Sequence, residues 1–259
     1  MKVVLFCGGL GTRLREHTET VPKPMVNIGQ RPILWHLMKY YAHFGHCEFI
    51  LCLGYMGDLI KQYFINYAEW ISNDFRLSGG GNEVHLFNRD IADWKITFAD
   101  TGTNSNIGQR LMAVRRYLGD DAVFLANYSD GLSDLPLVDY LDNFRRRDKI
   151  ASFISVRPTH SFHTVAAGAD QLVHEIRHAG KSDIRINGGF FAFKREIFDY
   201  LQPGEDLVEE PFRRLIAGRQ LLAYPHEGFW ACMDTLKDKK AFDEMEMQGD
   251  MPWQLWHAR

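Results

Sequence analysis

Three glycines follow the first apolar run of the chain. The run VVLF covers residues 3–6, and Gly8, Gly9 and Gly11 come within five residues of its end. Glycine lets the backbone approach a ligand closely and adopt positive φ, and consecutive N–H groups in such a turn can bind an anion. The spacing fits neither a Walker A loop, which ends in Gly-Lys-Ser/Thr, nor a dinucleotide fingerprint, which needs glycine where Leu14 stands. The glycines alone are therefore consistent with a phosphate cradle and equally with a tight turn that binds nothing.

Two cations, Arg13 and Lys23, come next. Lys23 stands between Pro22 and Pro24. Proline fixes its own φ and restricts the residue before it, so we expect Lys23 to be held in an extended conformation. A pre-positioned ammonium beside a row of N–H groups suits phosphoryl or nucleotidyl transfer, because negative charge on phosphate oxygens must be stabilised in the transition state. The two cations thus favour the phosphate cradle.

Two aspartates each follow an apolar stretch. Asp130 follows AVFLANYS and precedes Gly131, and Asp234 follows FWACM. Magnesium binds a few carboxylates together with substrate phosphate oxygens and water, so two aspartates that meet at one sheet edge would suit it. The alternative for each is an ordinary turn or helix-capping aspartate. Which interpretation holds depends on whether the fold brings the two carboxylates together.

The other reactive side chains form no second catalytic pattern. The 11 histidines are dispersed, and no Ser/His/Asp or Cys/His constellation is recognisable. The cysteines Cys7, Cys47, Cys52 and Cys232 lack metal-site spacing. We expect them to be reduced thiols, which is typical of a cytoplasmic protein. The first seven residues also lack the features of a secretion signal.

Charge and hydropathy exclude some classes of partner. The chain of 259 residues has 30 basic and 33 acidic side chains, for a formal net charge of −3. The basic run 145–147 is better explained as a solvated helix end than as a nucleic-acid footprint. No apolar run approaches the roughly 20 residues that span a bilayer. We therefore predict neither a nucleic-acid nor a membrane partner.

Apolar runs alternate with helix-period segments along the first half of the chain. We predict strands at 3–6, 49–55, 94–100 and 122–130, and helices at 32–44, 58–68 and 108–118. This order predicts an α/β, Rossmann-like fold, in which helices flank a mixed, mostly parallel sheet. Ligands of such sheets collect at the carboxyl ends of the strands, where the glycines and Asp130 fall.

The whole chain, 1–259, is predicted to be a single domain. We divide it into a first half, 1–135, and a second half, 136–244, which contains a smaller β region. Residues 70–92 lack a clear period and are predicted to be a long loop insert with a functional or assembly role. Residues 245–259 form a tail whose Trp253 and Trp256 should pack on the body or on a neighbouring subunit.

Several longer motifs make the sequence familiar. GGLGTRL with PKPM resembles the signature of the sugar-1-phosphate nucleotidylyltransferases, and the similarity is greatest to the glucose-1-phosphate cytidylyltransferases within that family. The other motifs that carry the resemblance are PILWHLMKYY, DTG, GQRL, YSDGLSDL, INGGFF and GFWACMDTLKDK. The double aromatic after NGG and the FW-x-x-MDT string are more specific than the glycines.

The resemblance implies magnesium-dependent transfer of a nucleotidyl group from a nucleoside triphosphate, CTP, to a sugar 1-phosphate, glucose 1-phosphate. It also implies a homo-oligomer. It places the triphosphate on Gly8, Gly9, Gly11 and Thr12, and gives catalytic roles on the phosphates to Arg13 and Lys23. Asp130 and Asp234 would bind Mg²⁺. The segment near the base would include Gly102, Gly108 and Arg110, and the sugar would meet Asn187 and Gly188. The resemblance thus makes 1–135 the nucleotide-binding half and 136–244 the sugar-phosphate-binding half.

The sequence departs from the family pattern on the acceptor side. The usual Glu-Lys-Pro before the NGG strand is missing, so either Arg177 or Lys181 would have to supply the cation for the sugar phosphate. Ser129 and the segment HSFHTVAAG also differ from the glucose enzymes. Two alternatives therefore stay open, the same chemistry with another acceptor or with UTP or dTTP, and a silent nucleotide-binding homologue. Retention of Arg13, Lys23, Asp130 and Asp234 argues against the silent homologue.

Overall fold

The fold is organised around a mixed sheet, seen in a computed structural model that describes residues 1–9, 20–159 and 162–257, apart from the side chains of Lys181 and His257. The strands of the described residues are β1 (Lys2–Phe6), β2 (Asn27–Ile28), β3 (Arg31–Pro32), β4 (Glu48–Leu53), β5 (Phe75–Ser78), β6 (Glu83–Leu86), β7 (Lys95–Asp100), β8 (Val123–Tyr128), β9 (Gly131–Ser133), β10 (Ala151–Val156), β11 (His163–Ala167), β12 (Val173–His178), β13 (Ile186–Asn187), β14 (Phe191–Lys194), β15 (Leu221–Pro225) and β16 (Trp230–Cys232).

Helices connect these strands. The α-helices of the described residues are α1 (Ile33–His43), α2 (Gly57–Ile65), α3 (Ile107–Val114), α4 (Leu137–Arg147), α5 (Glu210–Ala217) and α6 (Leu236–Gln248). Shorter 3-10 turns are found at Lys23–Met25, Glu69–Ile71, Gly79–Gly81, Arg115–Tyr117, Ala179–Lys181, Arg195–Tyr200 and Leu255–His257.

The main sheet has the strand order β13-β10-β14-β8-β1-β4-β7, with β15 paired to β10. Strands β7, β4, β1 and β8 are parallel neighbours, whereas β14 is antiparallel to β8 and β10. The predicted Rossmann-like α/β fold with a mixed, mostly parallel sheet is confirmed. In the 136–244 half, β10, β13, β14 and β15 continue this sheet, whereas β11 and β12 form a separate hairpin and β16 pairs with β9.

Alternation along β1 explains why both faces of the sheet are covered. Val3 and Leu5 belong to one buried apolar cluster, whereas Val4 and Phe6 belong to the cluster on the opposite face. Successive side chains of a strand point to opposite faces, so an unbroken apolar run is buried on both sides. The carboxyl end of β1 is thereby fixed in position before the glycines begin.

Helix α1 is more deeply buried than its sequence period suggests. Helical spacing puts Ile33, Leu37, Tyr40 and Tyr41 on one apolar face, which is buried. Trp35 and His36 lie on other faces and are also only 5% and 4% exposed. The reason is that the C-terminal tail covers a second side of the helix. Trp253 is fully buried, its indole N–H donates to His36 Nδ1, and Trp256 packs edge-on against Trp35. The prediction that the tail tryptophans pack on the body is confirmed.

The segment 70–92 differs from its prediction as a long loop. It contains the hairpin β5–β6, with Phe75 paired to Leu86 and Ser78 to Glu83. The four residues of β5 are all exposed, so no alternation between a buried and a polar face marks the strand in the sequence. The base of the hairpin is tied to the body by Asp90, which accepts hydrogen bonds from Lys39 and Tyr67.

The buried imidazole of His36 makes stability depend on pH. Burial lowers the pKa of His36 to about 4, from 6.5. Between these values the unfolded chain binds more protons than the folded one, so stability falls as pH falls. We expect the free energy of unfolding to drop by about 2 kcal/mol between pH 7 and pH 5 from this group alone. Urea titrations at several pH values would measure it.

The matched variants for this prediction are His36→Gln and His43→Gln, since His43 lies exposed on the same helix. His36→Gln should flatten the pH dependence, whereas His43→Gln should leave it unchanged. Equal slopes for both variants would contradict the assignment to His36.

Candidate active site

Lys23 lies between the two aspartates that the sequence singled out. Its ammonium donates to Asp130 Oδ2 at 2.6 Å and also to Asp234 Oδ1. The three side chains are partly buried, with exposed fractions of 15% for Lys23, 24% for Asp130 and 22% for Asp234. The carboxylates come from positions 104 residues apart (234 − 130) and bind one cation. The predicted convergence of Lys23, Asp130 and Asp234 therefore occurs.

A small ladder of strands brings Asp234 next to Asp130. Cys232 of β16 is opposite Gly131 of β9, and Met233 N–H donates to the carbonyl of Asp130 at 2.8 Å. Helix α6 begins directly afterwards with a capping box formed by Thr235 and Asp238. Thr235, and not Asp234, is the cap, so the Asp234 carboxylate can face the site. The sequence predicted neither of these short strands.

The backbone of Lys23 differs from the extended conformation that was predicted. Lys23 begins a 3-10 turn over Lys23–Met25, with hydrogen bonds from Met25 N to Pro22 O and from Val26 N to Lys23 O. Pro24 is tolerated because the first positions of a helical turn need no N–H donor. The turn aims the side chain at the aspartates. Burial opposes the charged amine, but attraction to Asp130 and hydrogen bonds to both carboxylates outweigh it and raise the pKa of Lys23.

The start of the glycine turn lies beside the carboxyl end of β8. Phe6 is paired with Tyr128, and Ser129 Oγ donates to the carbonyl of Phe6 at 2.8 Å. Gly9 is exposed, and a Cβ on it would meet nothing within 4 Å, so this part of the turn is open to a ligand. The turn and Asp130 thus share one edge of the sheet. Gly11, Thr12 and Arg13 lie outside the described residues.

Arg110 lies beneath this turn. It is 2% exposed, and its guanidinium donates to the carbonyls of Gly8 at 2.9 Å and Leu53 at 3.1 Å and to Thr101 Oγ1 at 2.7 Å. A Cβ on Gly8 would overlap that guanidinium. Arg110 therefore fixes the path of the backbone at Gly8. From this position Arg110 supports the turn and does not reach toward a base.

The other two glycines assigned to the base have different surroundings. Gly102 is exposed with φ of 88°, a conformation that side chains rarely adopt. Gly108 is buried in α3, and a Cβ there would overlap the carbonyl of Glu205. Gly102 is therefore open to a ligand, whereas Gly108 lets α3 pack against the loop before α5.

A cavity of about 220 Å³ opens beside the aspartate pair. Asn187 and Gly188, the residues predicted to meet the sugar, line it together with Asp130 and Asp234. Gly189 N–H donates to Asn187 Oδ1 at 2.9 Å, which orients the amide NH₂ toward the Tyr128 hydroxyl. The backbone groups of Gly188 are already used, since its N–H donates to Ile154 and its carbonyl accepts from Trp230. Gly188 therefore supplies space and shape.

Sequence reasoning missed three further residues of this cavity, Asn127, Tyr128 and Trp230. Burial raises the pKa of the Tyr128 hydroxyl, so it stays a neutral hydrogen-bonding group. Trp230 donates its indole N–H to Gly188 O at 2.8 Å and forms one wall. Tyr128 and Trp230 fall inside the motifs YSDGLSDL and GFWACMDTLKDK, so their motif membership was the available signal.

Arg177, one of the two cations proposed for the sugar phosphate, is not brought to this cavity. Arg177 is exposed on β12, where it pairs with Glu175, and it is not among the residues that line the cavity. Lys181 ends a 3-10 turn, and its side chain lies outside the described part of the structure. Arg177 is therefore not placed to hold a phosphate in this cavity.

The side chains at the aspartate pair fit a hard divalent ion. Among residues 1–9, 20–159 and 162–257, no cluster of three or more His, Cys, Asp or Glu groups could hold a metal ion. Two carboxylates leave the other positions of an octahedral ion to phosphate oxygens and water, which suits Mg²⁺. Cys232 Sγ lies 3.6 Å from Asp234 Oδ2. Burial raises the pKa of the Cys232 thiol, so the thiol stays protonated and is not a metal ligand. The donors are consequently oxygens.

The chain is similar in sequence to proteins of known family. A family model described as "Nucleotidyl transferase" matches residues 2–238. The chain is 39% identical over 259 residues to the glucose-1-phosphate cytidylyltransferase of Salmonella typhimurium, covering 99% of this chain and 100% of that one. It is 25% identical over 248 residues to the mannose-1-phosphate guanyltransferase of Saccharomyces cerevisiae, covering 92% and 62%.

The fold has solved counterparts. The structure of a UDP-glucose pyrophosphorylase complexed with UDP-glucose superposes with a TM-score of 0.69 at 13% identity and covers 96% of this chain and 98% of that one. The predicted fold is therefore confirmed over nearly the whole chain. The family model covers the glycine turn, Lys23 and both aspartates. By its sequence, its fold and the extent of both matches, the chain belongs to the nucleotidyl transferase family.

Proposed function

We propose that the protein transfers a cytidylyl group from CTP to glucose 1-phosphate and releases pyrophosphate, with Mg²⁺ as cofactor. The observation that carries this proposal is the convergence of Lys23, Asp130 and Asp234 at the sheet edge where the glycine turn begins. The substrates are suggested by the named activity of the Salmonella typhimurium relative. The cavity of about 220 Å³ beside the aspartates has room for a sugar ring.

The reaction requires only positioning and charge neutralisation. An oxygen of the sugar phosphate attacks the α-phosphorus in line, and the bond from that phosphorus to the bridging oxygen breaks as pyrophosphate leaves with the electron pair. The turn with Gly8, Gly9, Gly11 and Thr12 would hold the triphosphate. Arg13 would neutralise the departing pyrophosphate and Lys23 the reacting phosphates. No covalent enzyme intermediate is needed.

Asp130 and Asp234 would hold the magnesium ion. When bound, the ion would supply charge neutralisation on oxygens of both substrates. Asn187 and Tyr128 would orient the acceptor by hydrogen bonds, because an amide both donates and accepts. Gly102 stays a candidate for contact with the base, and Arg110 is proposed as a support for the turn rather than a base contact.

The identity of the acceptor substrate is the part of the proposal that has the strongest alternative. Arg177 pairs with Glu175 away from the cavity, and the Glu-Lys-Pro motif is missing, so another phosphorylated acceptor is the second candidate. A pyrophosphate-release assay should cross CTP, UTP, dTTP and GTP with several sugar 1-phosphates. We expect the highest rate with CTP and glucose 1-phosphate, and loss of turnover with EDTA. Turnover with a different pair would reassign the substrates, and nucleotide binding without turnover for any pair would favour a silent homologue.

Replacing Lys23 with methionine should reduce kcat/KM about a hundredfold, because the ammonium is proposed to neutralise charge in the transition state. The free energy of unfolding should change much less, since Lys23 and both carboxylates keep access to water. The control is Lys95→Met, which removes a lysine that is 78% exposed and distant in sequence from the site. A Lys23→Met protein that cannot fold would show that the residue is structural.

We also propose that the protein forms a homo-oligomer. The hairpins β5–β6 and β11–β12 carry exposed apolar side chains, among them Leu77, Phe87, Val165 and Ile176, each more than half exposed. Exposed apolar patches commonly mark protein contacts. Sedimentation equilibrium should give a mass above the 30.0 kDa of one chain. A monomer at micromolar concentration would contradict this.

We place the protein in the cytoplasm. Its four cysteines are unpaired, and two of them, Cys7 and Cys52, are buried. Burial raises the pKa of Cys7 to about 12, so its thiol is unreactive in spite of its position beside the glycine turn. None of the helices in the described ranges is long and apolar enough to cross a membrane.

A further inference from the structure

The two carboxylate oxygens that would bind the metal are already bound to a cation within the chain. Lys23 Nζ contacts Asp130 Oδ2 and Asp234 Oδ1 at the same time. One ammonium therefore compensates part of the repulsion between two carboxylates that the β9–β16 ladder forces together. The ammonium, together with the access to water that all three side chains keep, allows the pair to exist at this partly buried position.

A divalent ion on the same oxygens would meet the ammonium at close range. Two cations a few ångströms apart in a partly desolvated site repel each other. The ion and the ammonium thus compete for Asp130 and Asp234. Binding of one requires the other to withdraw.

The Lys23 side chain can leave the two aspartates without any unfolding of the backbone. The backbone of Lys23 is fixed by the 3-10 turn and its hydrogen bonds. The side chain is a flexible four-carbon stem with a rotatable ammonium, which can change partners while its Cα stays in place. A phosphate group held by the adjacent turn would offer the ammonium a new partner with sufficient negative charge.

We propose that Lys23 is an internal counter-ion. Its ammonium occupies the position of the divalent metal until a bound polyphosphate attracts the ammonium away from Asp130 and Asp234. This inference rests on the proposed function. It predicts that free metal binds weakly to the nucleotide-free protein, and that metal and polyphosphate each strengthen the binding of the other, since coupling between two ligands is reciprocal. The lysine would thereby keep the protein from loading metal before its nucleotide.

The test uses Mn²⁺ alone as the probe, with free Mn²⁺ measured by electron paramagnetic resonance. Lys23→Met should bind Mn²⁺ at least tenfold more tightly than the wild-type protein. Lys95→Met removes the same charge far from the site and should bind as the wild type does. Asp130→Asn in the Lys23→Met background should abolish the gain, which would locate the ion. Equal affinity of Lys23→Met and wild type would overturn the inference.

A second measurement does not depend on the variant. In the wild-type protein, acetylation of Lys23 by a water-soluble ester, followed by peptide mass spectrometry, should increase at least threefold when Mn²⁺ is added. Acetylation of Lys95 should not change. Unchanged Lys23 acetylation at saturating Mn²⁺ would also overturn the inference.

These outcomes can be separated from failure of the proposed function. Absence of Mn²⁺ binding in every protein would overturn the inference together with the metal assignment, whereas the pyrophosphate-release assay tests the nucleotidyl transfer by itself. Turnover that persists while Lys23→Met gains no affinity would leave the enzyme activity standing and remove only the counter-ion role.

Discussion

Asp130→Asn should lower turnover with CTP and glucose 1-phosphate about a thousandfold. The asparagine keeps the size of the side chain but removes the negative charge that is proposed to hold Mg²⁺ and that now accepts from Lys23. Loss of the ion would remove several kcal/mol of transition-state stabilisation, and each 1.36 kcal/mol is worth about tenfold in rate. Asp234→Asn should behave similarly, because its carboxylate contacts the same ammonium.

The measurement is pyrophosphate release at saturating substrates and a series of Mg²⁺ concentrations. The matched control is Asp142→Asn, since Asp142 is 62% exposed on α4 and pairs only with a surface arginine, Arg145, in the described part of the chain. We expect full activity from that control. Asp130→Asn and Asp234→Asn enzymes with activity within fivefold of the wild type would exclude the aspartate pair as the metal site.

Arg110→Met should destabilise the folded protein by about 4 kcal/mol. Methionine has similar length but no donors, so the carbonyls of Gly8 and Leu53 would lose the hydrogen bonds they receive from a buried charge. Such bonds contribute more than neutral ones, and buried acceptors left without a partner are costly. Since Gly8 belongs to the glycine turn, KM for the nucleotide should also rise. Urea unfolding and steady-state kinetics would measure both effects.

The stability and the KM of Arg110→Met together distinguish a role of Arg110 in supporting the turn from direct contact with the base. A change in KM without a change in stability would favour the base-contact role that the family resemblance implied for Arg110. A large loss of stability favours the supporting role. Arg116→Met is the control, because Arg116 is exposed just after the same helix and donates to the neighbouring Tyr117 hydroxyl. It should change neither quantity appreciably.

The main sheet was predictable because its strands are apolar on both faces. The strand predicted at 49–55 and the helix predicted at 32–44 agree with β4 (Glu48–Leu53) and α1 (Ile33–His43) within two residues. By contrast, β9 and β16 have three residues each, too few for any period to be visible. Their pairing, which brings Asp234 to Asp130, depends on contacts distant in sequence. The candidate metal pair could be proposed from motifs, but its geometry could not.

Buried charge was the other feature that local sequence did not reveal. The motif GQRL assigns Arg110 to a nucleotide site, yet its guanidinium is enclosed by carbonyls from Gly8 and Leu53, more than 50 residues away. Likewise, Pro24 predicted an extended Lys23, but the hydrogen bonds of the 3-10 turn determined its conformation. The roles of all the site residues remain predictions, and Gly11, Thr12, Arg13 and the Lys181 side chain also lie outside the described part of the structure.

The indole of Trp253 reaches an imidazole 217 positions earlier, and Lys23 meets an aspartate 211 positions later. Contacts between such distant segments mean that neither half of the chain forms a complete hydrophobic core by itself. A fragment ending after β8 (Val123–Tyr128) would lack the tail that covers α1 and also both carboxylates, Asp130 and Asp234. The protein is accordingly expected to fold in one cooperative step, and splitting it for expression in pieces should yield no autonomous nucleotide-binding module.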